Sequence, residues 1–201
     1  MDYKEFKAPF ISNLEIKGKA DLFRKKYWGD IIPVNIEIII EEKISIDIIP
    51  VPGLKQQCNT DAFISSDWKS VYVDNEKYMD DSYYNRLRFS IAHEIGHLVL
   101  HKDLYEELKI GNLDDFRNFQ TDVGGSQYGY IETQANKFAN YFLIPRNILT
   151  KERILIIREY KEIASLEAKL INSYIATPLG KKFGVSAEAI EIALNSENYN
   201  E

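Results

Sequence analysis

The sequence contains a single cysteine, three histidines and no long run of apolar residues, and each shortage excludes a class of protein. Cys58 alone cannot build an internal disulfide framework or a cysteine-rich zinc or iron–sulfur site. The most apolar stretch, residues 31–40, is interrupted by Pro33, Asn35 and Glu37, and it is far shorter than the roughly 20 residues of a membrane span. The N-terminal segment has mixed charges and no apolar region after them, unlike a secretory signal. We therefore expect a cytoplasmic protein with no membrane partner.

Basic residues are also too few for broad binding to nucleic acid. The chain has 25 Lys and Arg against 31 Asp and Glu, which gives a net charge of −6. Binding to phosphate backbones requires clustered Lys and Arg. The tail over residues 179–194 has the length of a helix-turn-helix, but its only cations are Lys181 and Lys182. Direct DNA binding is therefore the least favoured function.

The hydrophobic pattern changes between helical and strand periods along the 201 residues, and this mixture indicates an α+β fold. Helices are predicted over residues 14–28, 33–44, 81–101, 131–142 and 151–175, with two short helices over residues 179–194. The isoleucines of residues 33–44 also permit a strand. Short strands are predicted over residues 45–51, 62–65 and 70–73, with the last two forming a hairpin. Asn13 and Ser186 are candidate N-caps, and residues 103–130 are predicted to be a functional loop or mobile connection.

The strongest chemical signal is the run His93-Glu94-Ile95-Gly96-His97 on the predicted helix 81–101. Positions i and i+4 of a helix lie about 40° apart around its axis and about 6 Å along it. Two imidazoles so placed can bind one zinc ion, which leaves a coordination position open for water in catalytic sites. Glu94 can lie beside that water as a general base. This is the pattern of a zinc peptidase, and the alternative is a pair of ordinary surface histidines.

A catalytic zinc site needs a third protein ligand. His101 is the remaining histidine, but on a continuous helix it lies about 80° round and roughly 12 Å along from His93. We therefore expect His101 to have a structural or ligand-orienting role. The third ligand is then sought among carboxylates, where Glu132 is favoured because it opens the predicted helix 131–142. The spacing leaves three other candidates open, namely Glu106, Glu107 and Asp122.

Three polar residues near Glu132 are further candidates for the site. Asn136 follows one helical turn later and can orient a metal ligand, or it can simply face solvent. Tyr128 and Tyr130 precede Glu132, and either hydroxyl can donate to an oxyanion. Packing or ordering of the preceding connection is the commoner role for both tyrosines.

Residues 88–101 resemble the signature of the ImmA/IrrE family of zinc metallopeptidases. The resemblance continues in residues 132–139, with Ala135, Asn136 and Phe138 after Glu132, and in the run 143–145. Weaker similarity is present at Pro33-Val34 and over residues 71–74 and 183–186, so the resemblance extends over about residues 14–195.

The resemblance implies a zincin-like minimal metallopeptidase domain, with a small, mostly antiparallel sheet, an active-site helix and a helical C-terminal part. We place the core at residues 1–145 and the helical extension at 146–201. By the resemblance, His93, His97 and Glu132 bind one Zn²⁺ and Glu94 is the catalytic base. The same two histidines and carboxylate can also bind Mn²⁺ or Fe²⁺.

The family resemblance also implies a partner. Members of this family cleave a helix-turn-helix transcriptional repressor, which relieves repression in mobile elements or under stress. We expect the substrate to lie along an open edge of the sheet, with residues 70–73 as the candidate edge strand. The alternative function is a non-proteolytic module that docks on a repressor or toxin.

Overall fold

Helices form most of the chain, and a small sheet lies in its first half. The computed structural model describes residues 7–122, 125–160 and 166–196. The helices described there are α1 Asn13–Tyr27, α2 Leu54–Cys58, α3 Asn75–Met79, α4 Tyr84–Leu100, α5 Lys102–Leu108, α6 Leu113–Asp122, α7 Gly125–Leu143, α8 Arg146–Glu159, α9 Ala168–Phe183 and α10 Ala187–Asn195. In addition, Ile38–Lys43 form a π-helical segment. None of the described helices is long and apolar enough to cross a membrane.

The sheet is mixed, which corrects the expectation of a mostly antiparallel one. Its strands are β1 Asp47–Val51, β2 Ala62–Ile64 and β3 Ser70–Asp74, in the order β1-β3-β2. β3 forms the expected antiparallel hairpin with β2, but it runs parallel to β1. The reason is topological: after β1 the chain crosses through α2 and returns as β2, and β3 then inserts between the two earlier strands.

This strand order also makes the predicted edge strand wrong. β3 is the central strand, with hydrogen-bonded neighbours on both sides, and its Val71 and Val73 are fully buried. The edges of the described sheet are β1 and β2. β2 lies against α4, so β2 is the edge next to the His93–His97 motif.

Two long helices, α4 and α7, pack against each other at the centre of the structure, and α1 covers α7. The buried face of α4 includes Leu87, Ile91 and Ile95, which recur at helical spacing. At Gly96 the helices approach so closely that a Cβ atom there would lie 3.1 Å from the Cα of Ala135. A glycine at this point therefore allows α7 to lie directly beside the motif.

The helices of the N-terminal half fall close to the predicted positions. The prediction for α1 is confirmed within a residue, although its N-cap is Ser12, whose side chain accepts from the Glu15 N–H, and not Asn13. Pro33 precedes the next helical segment rather than occupying its first turn. The helix predicted over residues 81–101 is confirmed as α4 after a short 3₁₀ turn.

The predicted loop over residues 103–130 is wrong. Its described residues form α5, α6 and the first turns of α7. α5 has only 7 residues, too short to give a strong periodic signal. α6 has 10 residues and carries apolar side chains at helical spacing, Leu113, Phe116 and Phe119, but the polar residues between them suggested a connection. They are held by buried aromatic side chains, among them Phe116 and Phe119.

The C-terminal helices differ from the prediction in one place. The predicted helix over residues 151–175 falls on α8 and α9, and its residues 161–165 lie outside the described chain. The difference lies at α9, which continues through Pro178 to Phe183 as one helix, so the predicted break after residue 175 is wrong. The turn at Gly184, with a φ of +64°, and the short helix α10 after it are confirmed, and the Ser186 side chain caps α10 by accepting from the Ala189 N–H.

Contacts join these C-terminal helices to the rest of the fold. The buried Arg88 guanidinium of α4 donates to the backbone carbonyls of Val34 and Gly184. The Asn140 side chain of α7 donates to the Ala189 carbonyl at 3.1 Å. Three segments that carry the family resemblance, around residues 34, 88 and 184, thus lie together.

Candidate metal centre

Two histidines of α4 present their Nε2 atoms to the same point. His93 and His97 are one helical turn apart, and their Nε2 atoms are 3.0 Å from each other. His97 is almost completely buried, while His93 is 12 % exposed. A small opening to solvent therefore lies on the His93 side of the pair.

The third member of the cluster is Glu132, which reaches the two histidines from α7. Its two carboxylate oxygens lie 3.2 Å from the His93 Nε2 and 3.3 Å from the His97 Nε2. The ligand atoms of the three residues all lie within 4.8 Å of one another. Bonds of 2.0–2.1 Å in a tetrahedral arrangement place ligand atoms about 3.3 Å apart. The cluster therefore fits a metal ion in both its donor types and its spacing.

Neighbouring side chains orient both imidazoles. The Nδ1 of His93 lies 2.8 Å from the Asn136 Oδ1, so its N–H donates there and leaves Nε2 free to bind a metal. The Nδ1 of His97 lies 3.0 Å from the Nδ1 of His101. The sequence suggested Asn136 and His101 as residues that orient metal ligands. Each of them lies beside the Nδ1 of a histidine, the nitrogen that does not face Glu132.

Glu94 lies next to the cluster and is buried. Its Oε2 accepts a hydrogen bond of 2.9 Å from the Ile64 N–H of β2. Burial is the main reason that the pKa of Glu94 rises to about 8 in the metal-free protein, with a further contribution from the charge of Glu132. The nearby His93 opposes this rise. The hydrogen bond from the Ile64 N–H holds the carboxylate of Glu94 in place.

The histidines and Glu132 share protons when no metal is bound. Burial disfavours the His93 cation, but the hydrogen bond to Glu132 and its charge outweigh burial and raise the pKa of His93 to about 9. Burial also opposes ionisation of Glu132, yet both histidines hold its pKa well below the usual range. Burial lowers the pKa of His97. In the metal-free protein the carboxylate of Glu132 therefore favours the protonated form of His93.

A cavity of about 380 Å³ opens onto the cluster. Its lining includes His93, Glu94, His97 and Glu132, together with Ala62 at the edge of the sheet. The cavity is therefore bounded by the metal cluster, the candidate base and Ala62 of the edge strand β2.

The two candidate oxyanion donors are in different places. Tyr128 is half-buried and lines the cavity, and burial raises the pKa of its hydroxyl. Tyr130 is 61 % exposed and is not among the lining residues. The two-residue offset between Tyr130 and Glu132 turns their side chains about 200° apart on the helix, which explains the difference.

The other carboxylates considered as third ligand are not in the cluster. Glu106, Glu107 and Asp122 are exposed on α5 and α6. The spacing of the sequence did not separate them from Glu132, because the path of the chain between α4 and α7 decides which carboxylate reaches the histidines.

Some residues of the site were not foreseen from the sequence. Tyr105 is buried, lines the cavity, and has its ring centroid 4.8 Å from that of His97. Gln134 contacts His101 with its Oε1 at 2.8 Å from the imidazole Nε2. Tyr105 follows His101 by four residues, and this spacing was the available signal. Nothing in the local sequence pointed to Gln134 or to the Ile64 N–H.

Three comparisons with known proteins bear on this site. The family model Peptidase_M78, described as the IrrE N-terminal-like domain, matches residues 84–195, more than half of the chain. No curated protein sequence matches the chain. Among solved structures, a Mycobacterium tuberculosis transcriptional regulator is similar with a TM-score of 0.47 and 18 % identity, covering 90 % of this chain and 46 % of that one. The chain thus spans about half the length of that regulator.

Proposed function

The chain belongs to the Peptidase_M78 family of IrrE N-terminal-like domains, and from this premise we propose that it is a zinc-dependent endopeptidase that cleaves a helix-turn-helix transcriptional repressor. The observation that carries the proposal is the convergence of His93, His97 and Glu132 beside the buried Glu94 in one cavity. A metal-binding cluster alone would not need a carboxylate held next to it. The presence of Glu94 there supports hydrolysis.

The residues have distinct roles in the proposed reaction. A bound zinc ion would polarise the scissile carbonyl and lower the pKa of water toward about 7. Glu94 takes a proton from the attacking water and passes it to the leaving amine. Because its Oε2 is bonded to the Ile64 N–H, its second oxygen is available for the water. The Tyr128 hydroxyl at the cavity wall is the candidate donor to the developing oxyanion.

We place the substrate along β2 rather than along β3. β2 is an edge of the described sheet and borders the active-site helix. Ala62 of this strand also lines the cavity. An extended peptide can add to such an edge through backbone hydrogen bonds. This position brings the peptide past Glu94 and the metal ligands.

The proposal is tested by finding whether a reading frame beside the gene for this chain encodes a helix-turn-helix protein and by using that protein as the substrate. The purified repressor is incubated with the zinc-loaded protein, and its fragments are identified by mass spectrometry. We expect cleavage that a chelator abolishes and that added zinc restores. The matched control is Glu107→Gln, an exposed carboxylate outside the cluster, which should cleave normally.

Three results would each contradict a part of this proposal. Cleavage that continues without metal would contradict the proposed mechanism. Normal control of the repressor in cells by a Glu94→Gln variant would favour a module that acts by docking. Restoration by Mn²⁺ or Fe²⁺ but not by Zn²⁺ would contradict the choice of metal, because the same ligands can bind all three ions.

A further inference from the structure

A chain of hydrogen bonds, buried at its inner end, runs from the exposed Pro9 of the N-terminal segment to one of the candidate metal ligands. We propose that His101 and Gln134 form a relay that fixes the tautomer of His97, and that the relay is anchored at the backbone carbonyl of Pro9. The inference rests on the proposed role of His97 as a metal ligand. It assigns a positioning function to two residues that do not touch the metal themselves.

The direction of the relay follows from its last member. A proline carbonyl can only accept hydrogen bonds. The Gln134 Nε2 lies 2.7 Å from the Pro9 oxygen and therefore donates to it. This contact orients the amide, so that its Oε1 faces the His101 Nε2 at 2.8 Å. Because Oε1 is an acceptor, the hydrogen of a neutral His101 must be on Nε2.

The next contact transmits this choice to His97. With its hydrogen on Nε2, a neutral His101 has a lone pair on Nδ1. That lone pair lies 3.0 Å from the His97 Nδ1, which must then carry a hydrogen and donate it. The relay therefore favours the tautomer of His97 whose Nε2 lone pair faces His93 and Glu132. This is the tautomer that can bind a metal ion through Nε2.

Burial makes the relay selective, because water has little access to replace its members. His97, His101 and Gln134 are 1 %, 2 % and 7 % exposed. A purely space-filling role would be served as well by apolar side chains, which carry no desolvation cost.

The anchor of the relay is held along α7, the helix that carries Glu132. The Ala8 N–H donates to the Gln127 Oε1 at 2.8 Å, and the Lys137 Nζ donates to the Asn13 Oδ1 at 2.8 Å. The Pro9 contact with Gln134 lies between these two. The N-terminal segment, residues 8–13, is thus fixed to α7 on both sides of the relay.

The first test measures zinc affinity by competition with a chromophoric chelator. His101→Leu replaces the Nδ1 acceptor by an apolar group of similar size, and we expect zinc to bind about 10–100-fold more weakly. His101→Asn keeps a polar atom at the place of Nδ1 and should recover most of the affinity. Gln134→Leu removes the Oε1 acceptor that holds the His101 hydrogen on Nε2, so it should also weaken zinc binding. The matched control is Asn172→Leu, which alters a buried polar residue of α9 that donates to Asn195 of α10, and this variant should bind zinc as the unaltered protein does.

The second test needs no variant and is independent of folding defects. Long-range ¹H–¹⁵N spectra of the metal-free protein, in which no metal fixes the tautomer of His97, report which imidazole nitrogen of each histidine carries a hydrogen. We expect hydrogen on the His101 Nε2 and on the His97 Nδ1. A hydrogen on the His101 Nδ1, or unchanged zinc affinity in His101→Leu, would overturn the relay without affecting the proposed peptidase. If the relay is confirmed but the protein cleaves no repressor, the proposed function is contradicted and the relay is not. If the unaltered protein does not bind zinc, both the relay and the proposed function are overturned.

Discussion

The close approach of α4 and α7 at Gly96 should control metal binding, and Gly96→Ala tests this directly. The added Cβ would lie 3.1 Å from both the Cα and the carbonyl oxygen of Ala135, whereas ordinary contacts begin at 3.4 Å. Both atoms belong to the backbone of α7, so the helices must separate by about 0.3 Å or more. Glu132 is less than one helical turn away on the same helix and would move with Ala135.

The size of the effect follows from the tolerance of metal bonds. Ligand distances in metal sites hold within about 0.2 Å, so this displacement of Glu132 should weaken zinc binding by about tenfold, or 1.4 kcal/mol. Overpacking costs about 1–3 kcal/mol of folding stability, and the better helix propensity of alanine returns up to about 1 kcal/mol. We therefore expect a moderate loss of stability together with the loss of affinity.

The assay combines a zinc competition titration with thermal unfolding of the metal-free protein. The matched control is Gly129→Ala, in the same helix α7, where a Cβ meets nothing within 4 Å. This control should be stabilised by about 0.5–1 kcal/mol and should keep its zinc affinity. If Gly96→Ala binds zinc as tightly as the unaltered protein, the close approach does not position Glu132.

Three further predictions concern pH and a buried arginine. Glu132 raises the pKa of His93 to about 9, so below that pH a metal ion must displace a proton from His93. Zinc affinity measured by titration should therefore increase with pH up to about 9. An affinity that does not change with pH would contradict this. Burial lowers the pKa of His101 from 6.5 to about 3. The stability that the neutral imidazole contributes is therefore present above pH 6.5 and is lost as the pH falls toward 3. Acid should thus lower the free energy of unfolding of the metal-free protein more than that of its His101→Asn variant. Arg88→Met removes the donors to the buried Val34 carbonyl and the partly buried Gly184 carbonyl, so it should lower the free energy of unfolding in urea by about 1–3 kcal/mol. Arg117→Met, at an exposed position, should change that free energy little.

Helices could be predicted from the sequence where apolar residues recur regularly over several turns, and strands where turn-forming residues mark their ends. α1 and α4 have regular apolar spacing, and the β2–β3 hairpin is bounded by turn-forming residues. α5 could not be predicted in this way, because it has only 7 residues. α6 was missed although Leu113, Phe116 and Phe119 recur at helical spacing, because polar and charged residues surround them in the sequence. The parallel pairing of β1 with β3 depends on the crossover through α2, which leaves no mark in the strand sequences.

The candidate site was predictable where its residues share one helix. The spacing of His93 and His97 fixes their geometry locally, and Glu94 follows from the same helix. Glu132 needed the fold or the family resemblance, because three other carboxylates had compatible positions in the sequence. The Ile64 N–H and the Pro9 carbonyl were beyond prediction, since backbone groups contribute to the site without any preference for a residue type.

The central claim is that Glu94 performs acid–base catalysis next to a metal held by His93, His97 and Glu132. It is tested most directly by the rate at which zinc-loaded Glu94→Gln cleaves the repressor, compared with the unaltered protein at equal zinc content. We expect Glu94→Gln to bind zinc normally and to cleave the repressor about 10²–10⁴-fold more slowly than the unaltered protein. Cleavage at the unaltered rate by a fully metal-loaded variant would contradict it.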